Sequence, residues 1–441
     1  MSRGEGRAAV LFIESNTSGT GRLFVRTARG MGFAPVLVTA RPEKYAFLAE
    51  EGAPEVIRVP RTDEDALYAL IQGRFGGAAG IVGITSSSEY HVATAAALAA
   101  RFGLPGPDAG SVRAARDKSH QRRVLAAGGV PTPAFRVVGS AAEAVGAAGQ
   151  IGFPVVVKPL DGSGSVGVRA CADADEVDAH ASRLFAPADA EPRVLVEQLV
   201  AGDEYSVEVF SGRVIGITRK HLGRPPFFVE AGHDYPAAVA EDVAEALAES
   251  VVRGTELLGL GWGPLHWELR MQGGRAYPIE VNPRLAGGFI PELVRHAQGI
   301  DLIRETLRLV VGRAPGLEAM RHEHASIRFL FAPRAGRLAE VRGRSTALGL
   351  PHVLDVAMYR RAGDELAIEG DFRDRVGHVV SCAERPEAAR GAAERARDSI
   401  RIRVEEPVDA VAVIDAVDAD EVDDAVDADE AVLAGAGGGA A

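Results

Sequence analysis

Cysteine is nearly missing from this 441-residue chain, with only Cys171 and Cys382 present. That excludes a disulfide framework and a thiolate metal cluster, and it suits a reducing cytoplasm. Long apolar runs are also missing. The longest, such as Val92 to Ala100, fall far short of the roughly 20 residues a membrane span needs. The N-terminal patch Ala8 to Ile13 is too short for a secretory signal and ends at Glu14. An excess of basic residues is lacking as well: the formal charge is -12, but ten acids and no bases follow Pro407, which leaves 51 acids against 49 bases in the rest. A near-neutral body without a basic stripe argues against a nucleic-acid partner. The acidic stretch repeats AVDADE at Ala416 and Ala425 and ends in AGAGGGAA, so residues 407–441 read as a disordered solubilising tail.

The dinucleotide fingerprint is missing too. IESNTSGTGR, Ile13 to Arg22, follows an apolar run and carries two glycines, but Gly19 and Gly21 run into Arg22-Leu23-Phe24. GxGxxG is not formed, so a nicotinamide-dependent oxidoreductase loses its main support.

What is present is an alternation of apolar runs with helical spacing over residues 1–112. The runs Ala8 to Ile13, Pro35 to Val38, Val56 to Val59 and Gly80 to Ile84 are separated by segments such as Leu23, Thr27 and Met31 on one stripe. This predicts a parallel, doubly wound sheet, a Rossmann-like α/β unit. Residues 113–312 read as an α+β unit with antiparallel hairpins, and residues 313–406 as a small C-terminal α+β unit with short strands, a helix from Pro386 to Ile400 and no dense cluster of polar functional residues.

Three stretches carry chemistry. In IGFPVVVKPLDGSGSVGV a buried-looking strand delivers Lys158 to a loop with Asp161, Gly162, Ser163, Gly164, Ser165 and Gly167. Backbone N–H groups of such a loop can converge on phosphate oxygens beside the lysine charge; the alternative is a strand-end lysine before a hairpin turn. In LHWELRMQGGRAYPIEVNPRLAGG, a three-residue turn would pair Met271 with Arg275 and make His266 face Glu280, with Glu268, Glu280 and Asn282 on one face. A two-residue turn would separate the glutamates. Two carboxylates and an amide oxygen make a hard-oxygen site for Mg²⁺ or Mn²⁺, against the alternative of solvated acids on an exposed hairpin. Arg284, two residues beyond Asn282, suits a developing phosphate or oxyanion charge. In VLVEQLVAGDEYSVEVF, a strand edge around Glu197 to Val200 can read a base, and Glu204 can accept from ribose hydroxyls; an ordinary hairpin is the competing reading.

Taken in order, Lys118 in RDK, VVVKP with its glycine loop, EQLVAGDEYS, WELR and IEVNPR resemble the ATP-grasp superfamily. The resemblance implies an ATP-grasp fold: a two-lobed ATP-grasp core behind the N-terminal Rossmann-like domain, and a small C-terminal α+β domain. It further implies ATP held by Lys118, Lys158, the loop Asp161 to Gly167, Glu197, Gln198, Val200 and Glu204, with magnesium at Glu268, Glu280 and Asn282 and Arg284 at the transferring phosphate. Gln198 departs from the lysine common in that adenine strand. IESNTSGTG, GHDYP, LHWELR and IEVNPRLAGG resemble the L-amino-acid ligase and carboxylate–amine ligase branch. That implies activation of a carboxylate as an acyl phosphate and its capture by an amine, with ADP and phosphate released, small-molecule acid and amine as partners, and a homodimer through the C-terminal unit. A bicarbonate-using carboxylase of the biotin carboxylase type is the alternative, and PRLAGG counts against it; a silent nucleotide-binding protein is another. His266 is read either as structural or as a group that touches the acyl substrate or deprotonates the amine, and the Ser15 to Gly21 loop as part of the substrate side.

Overall fold

The computed structural model describes residues 7–17, 19–50, 52–76, 80–162, 164–186 and 192–406; Ser163 and the acidic tail 407–441 lie outside the described residues. The first sheet has the order β3 (Glu55–Arg58), β2 (Ala34–Thr39), β1 (Ala9–Ile13) and β4 (Ile81–Thr85), all neighbours parallel. The inner strands β1 and β2 are short apolar runs buried on both sides, as strands inside a parallel sheet are, whereas the edge strand β3 buries only Ile57. The helix Gly19–Gly30 buries Thr20, Phe24 and Ala28 with Gly21 and Val25. The Leu23, Thr27, Met31 stripe expected from spacing lies one row over and is half-buried. The helix Leu302–Val310, from much later in the chain, packs on this unit against Gly19–Gly30.

A second, antiparallel sheet runs β5 (Phe135–Val138), β8 (Val194–Gln198), β6 (Val155–Pro159) and β7 (Arg169–Cys171), backed by the helices Ala141–Ile151 and Ala174–Phe185. The third sheet has eight strands: β13 (Arg275–Asn282), β12 (Pro264–Gln272), β9 (Glu204–Phe210), β10 (Arg213–Leu222), β11 (Glu230–Tyr235), β14 (His324–Phe331), β18 (Arg375–Ala383) and β16 (Val353–Met358). Through the antiparallel β11–β14 pair it crosses the boundary expected between residues 312 and 313. A small sheet of β17 (Glu365–Leu366), β15 (Gly336–Arg342) and β19 (Arg401–Glu405) completes the C-terminal unit.

Period-two alternation decides what the large sheet offers. Tyr205, Val207 and Val209 of β9 and Leu265, Trp267 and Leu269 of β12 share one buried apolar cluster with Leu247 and Val251 of the helix Glu241–Leu257. The residues between them, Glu204, Ser206 and Glu208 in register with Arg270, Glu268 and His266, form the opposite, polar face.

Candidate active site

The β12–β13 hairpin corrects the sequence reading. The turn is two residues, Gly273-Gly274, both with positive φ (58° and 74°), and Gln272 pairs with Arg275. Glycine meets that left-handed geometry at both positions without a Cβ penalty. A regular ladder from this turn would split the two glutamates, yet the register shifts by one residue between Glu268 and Leu269. This bulge leaves Glu268 directly opposite Glu280 and His266 opposite Asn282, not Glu280. The three hard-oxygen side chains share a face by a different route from the one expected.

Like charges directly opposite in a ladder repel, and nearby cations offset this pair. Lys118 Nζ lies 3.2 Å from Glu280, and Lys220 Nζ 3.0 Å from Glu268. The His266 ring sits 2.8 Å from Glu208 and 3.2 Å from Glu268. Burial works against a charged ring, but the Glu208 and Glu268 carboxylates outweigh it and hold His266 at about 9. The ring thus bridges the Glu208 and Glu268 carboxylates. Burial also opposes ionisation of Glu268, and Lys220 and His266 reverse that to hold it below the carboxylate range.

Lys118 opens the helix Lys118–Ala127, whose cap is Asp117, accepting from Ser119 N and His120 N. The lysine thus stands at the positive end of a helix, and its Nζ donates to the Gly162 carbonyl at 2.6 Å. Lys158, at the end of β6, is 2.6 Å from Glu197, which Arg122 also contacts at 2.9 Å. Burial opposes the Glu197 charge, and those two cations hold its carboxyl below the ordinary range. Glu204 lies 3.1 Å from Lys220 and 3.2 Å from Arg270, and the Val200 carbonyl accepts from Arg270 at 2.8 Å. The backbone N–H of Gln198 donates to Ala134 O.

One cavity of about 160 Å³ brings these together. Its wall includes Lys118, Lys158, Gly162, Gly164, Ser165, Glu197, Gln198, Val200, Glu204, His266, Glu268, Glu280, Asn282 and Arg284. Asp161 and Gly167 are not on that wall. Gly167 shapes the turn (φ 69°), where a Cβ would press on Pro159 at 3.1 Å. Ser165 Oγ donates to the Phe228 carbonyl at 3.3 Å, tying the glycine loop to the segment before β11.

Sequence reasoning missed several charged residues here. Lys220 of β10 touches Glu204, Glu230 and Glu268. Burial would push its ammonium down, and the three carboxylates instead hold it well above the usual lysine range. Glu230 and, from the C-terminal unit, Phe372 and Arg375 also line the cavity. Arg375 Nη2 donates to the Glu230 carboxylate at 2.9 Å. Within GHDYP, His233 Nδ1 is 2.9 Å from the Gly288 carbonyl, while Asp234 accepts from Ser326 and Arg328.

A second cavity, about 80 Å³, lies between the N-terminal unit and the core, walled in part by Asn16, Thr20, Ser88, Glu89 and Trp262. Arg284, Gly287 and Gly288 line both cavities. Arg284 Nε donates to Glu89 at 2.9 Å, with a second bond from Nη2, and Nη1 donates to Leu285 O at 2.9 Å. Three of the guanidinium's five N–H groups are thereby engaged. The Ser15–Gly21 loop reaches this cavity through Asn16 and Thr20, held by Ser15 Oγ at 2.7 Å from Ser87 Oγ.

Among the described residues no group of three or more His, Cys, Asp and Glu side chains is arranged to hold a metal ion. The donors at hand are two carboxylates and an amide, a set that matches Mg²⁺, which takes one or two carboxylates and completes its shell with substrate phosphates and water. No described helix is long and apolar enough to cross a membrane.

A family model described as ATP-grasp domain matches residues 151–292, and one described as L-amino acid ligase C-terminal domain 2 matches residues 328–405. A Sinorhizobium fredii protein described as uncharacterized protein y4rH is 40% identical over 397 residues, covering 89% of this chain and 82% of that one. The D-alanine–D-alanine ligase of Gloeobacter violaceus is 31% identical over 225 residues, 47% of this chain and 73% of that ligase. Carnosine synthase 1 of Gallus gallus is 29% identical over 357 residues, 74% of this chain and 38% of the synthase, so the chain spans about two fifths of that enzyme's length. Among solved structures, the L-amino acid ligase from Bacillus licheniformis superposes with a TM-score of 0.78 at 20% identity, covering 92% of this chain and all of that one, a likeness of fold. The chain belongs to the ATP-grasp superfamily, and within it to the carboxylate–amine ligases, enzymes that form C–N bonds.

Proposed function

We propose that the larger cavity binds ATP and the smaller one a carboxylate substrate, an amino acid or another small acid, which the enzyme activates as an acyl phosphate and joins to an amine. The observation that carries this reading is the position of Arg284 on the walls of both cavities. A carboxylate approaching a γ-phosphate brings two anions together, so cations must gather where they meet. Lys118 and Lys158 supply charge from the nucleotide side, and Arg284 sits at the junction with N–H groups to spare. Glu268, Glu280 and Asn282 would hold Mg²⁺ or Mn²⁺, which supplies Lewis-acid neutralisation of phosphate oxygens. Gly164 and Ser165 line this cavity, and closure of their loop excludes water from an acyl phosphate that water would destroy. Glu197, Gln198, Val200 and Glu204 line the end of the cavity suited to the nucleoside. A cytoplasmic location and a homodimer through the C-terminal unit belong to the same proposal; light scattering checks the second.

The test pairs amino acids and other carboxylates with amines in the presence of ATP and Mg²⁺, reading phosphate release and product mass. An amide that needs both partners, with ADP as coproduct, is expected. Bicarbonate-stimulated turnover with no amide from any pair would instead favour a carboxylase.

A further inference from the structure

The N-terminal loop that reaches the smaller cavity is held in shape from outside that cavity, and the following rests on the function proposed above. Glu14, the residue after β1, has a left-handed backbone, φ 46°, although it carries a Cβ. Such a conformation persists only where surrounding contacts over-determine it. Here the residue's own side chain supplies them. The Glu14 carboxylate accepts from Thr39 Oγ1 at 2.6 Å, Ala40 N at 2.7 Å and Tyr45 OH at 2.6 Å, which pins the turn after β1 to the end of β2. Hydroxyl-to-carboxylate bonds of this length are of the strong, charge-assisted kind.

Tyr45 carries the constraint onward. It is 4% exposed, and with its proton directed to Glu14 the phenol oxygen accepts from Ser15 N at 3.0 Å. Ser15 Oγ and Asn16 N both meet Ser87 Oγ, at 2.7 Å and 2.9 Å. Gly21 closes the fit from the other side: it is the third residue of the helix Gly19–Gly30, and a Cβ there would run into the Asn16 carbonyl. The backbone of Ser15 and Asn16 is therefore fixed between the Glu14–Tyr45 pair, Ser87 and Gly21. Of these residues Asn16 and Ser87 line the smaller cavity, whereas Glu14, Tyr45 and Gly21 do not. We propose that Glu14 and Tyr45 are positioning residues for the acid substrate, acting on it through Asn16 without touching it.

Hydroxylamine tests this without knowledge of the amine. It captures an acyl phosphate as a hydroxamate, its nitrogen losing a proton and forming the N–C bond as phosphate leaves. Alanine, serine, valine, phenylalanine, aspartate and lysine are offered singly with ATP, Mg²⁺ and hydroxylamine, and the acid that gives most hydroxamate is carried into the Tyr45→Phe, Glu14→Gln and Gly21→Ala enzymes. Tyr45→Phe keeps the ring against Phe47 and is expected to raise KM for the acid about five-fold, the scale of one lost hydrogen bond. Glu14→Gln turns an N–H donor toward other donors and should raise that KM by at least about 10-fold. Gly21→Ala should raise it too, although alanine favours a helix. KM for ATP is expected to stay within about two-fold in all three, a split that a general loss of folded enzyme does not produce. An unchanged KM for the acid in Tyr45→Phe, or an equal rise in KM for ATP, overturns the inference and leaves acid activation standing; Tyr45→Phe decides even where the other two variants fail to fold. No hydroxamate from any acid with the wild-type enzyme overturns the activation reading itself, and this inference with it.

Discussion

Glu89 shows how one buried carboxylate can serve stability and position a cation at once. Burial opposes its charge, but Arg284 and Arg116 outweigh the burial and hold its carboxyl at about 2, against an ordinary 4.5. For a depressed carboxylate the stabilising contribution is present above about 4.5 and lost as pH falls toward about 2. Glu89→Gln is therefore expected to lower stability at pH 7 by on the order of 3 kcal/mol, and the gap to wild type should narrow in urea melts taken at pH 3.5. An unchanged gap at the lower pH would count against Glu89 as the titrating group. The same variant frees the Arg284 guanidinium, so kcat should fall more than KM for ATP rises. At Glu280 the expectation is simpler: Glu280→Ala should reduce ADP release by at least on the order of 100-fold, and full turnover in that variant removes the metal assignment. Both glutamates were present in the sequence, but only Glu280 was legible there. IEVNPR sits in a recognisable pattern, whereas nothing within SSSE reveals that Arg284, 195 positions away, closes on it.

At the scale of elements, the cap of the Lys118 helix sets the position of a lysine on the cavity wall. Asp117 Oδ1 accepts from Ser119 N at 2.8 Å and His120 N at 3.1 Å, fixing Lys118 as the first helical residue. Asp117→Ala should cost about 1 kcal/mol in thermal or urea unfolding and raise KM for ATP, while a change in stability with no change in KM would detach the cap from the nucleotide site. Sequence reasoning found the β12–β13 hairpin, yet it reached the right face of the hairpin through the wrong turn. Parity counting assumes an unbroken ladder, and the bulge between Glu268 and Leu269 breaks it. Lys220 was missed for a related reason. RVIGITRKHL does not mark its lysine as buried, and only the pairing of β10 with β9 and β11 sets Lys220 between Glu204 and His233.

On the scale of the whole molecule, the C-terminal unit read from sequence as an appendage without polar function, and packing makes it part of the site. Strands β14, β18 and β16 extend the same sheet that carries Glu204 and Glu268, and one apolar cluster runs from Val10 and Phe12 of the N-terminal sheet through Leu293 and Leu307 to Phe329. Such continuity depends on contacts between residues hundreds of positions apart, which no local pattern encodes. Arg375 is where this sharing becomes chemical. It is 4% exposed, stacks 3.7 Å over the Phe329 ring and donates to both the carboxylate and the carbonyl of Glu230, which in turn neighbours Lys220 and His233. Arg375→Met keeps the volume and removes the charge, leaving Glu230 with one fewer cation. Breaking a buried ion pair on one side typically costs about 3–5 kcal/mol, so a large fall in the urea midpoint is expected. Because the arginine also lines the larger cavity, the one proposed to bind ATP, KM for ATP should rise in whatever fraction remains folded. A variant as stable as wild type, binding ATP equally well, would mean that the C-terminal unit only abuts the site and does not help to build it.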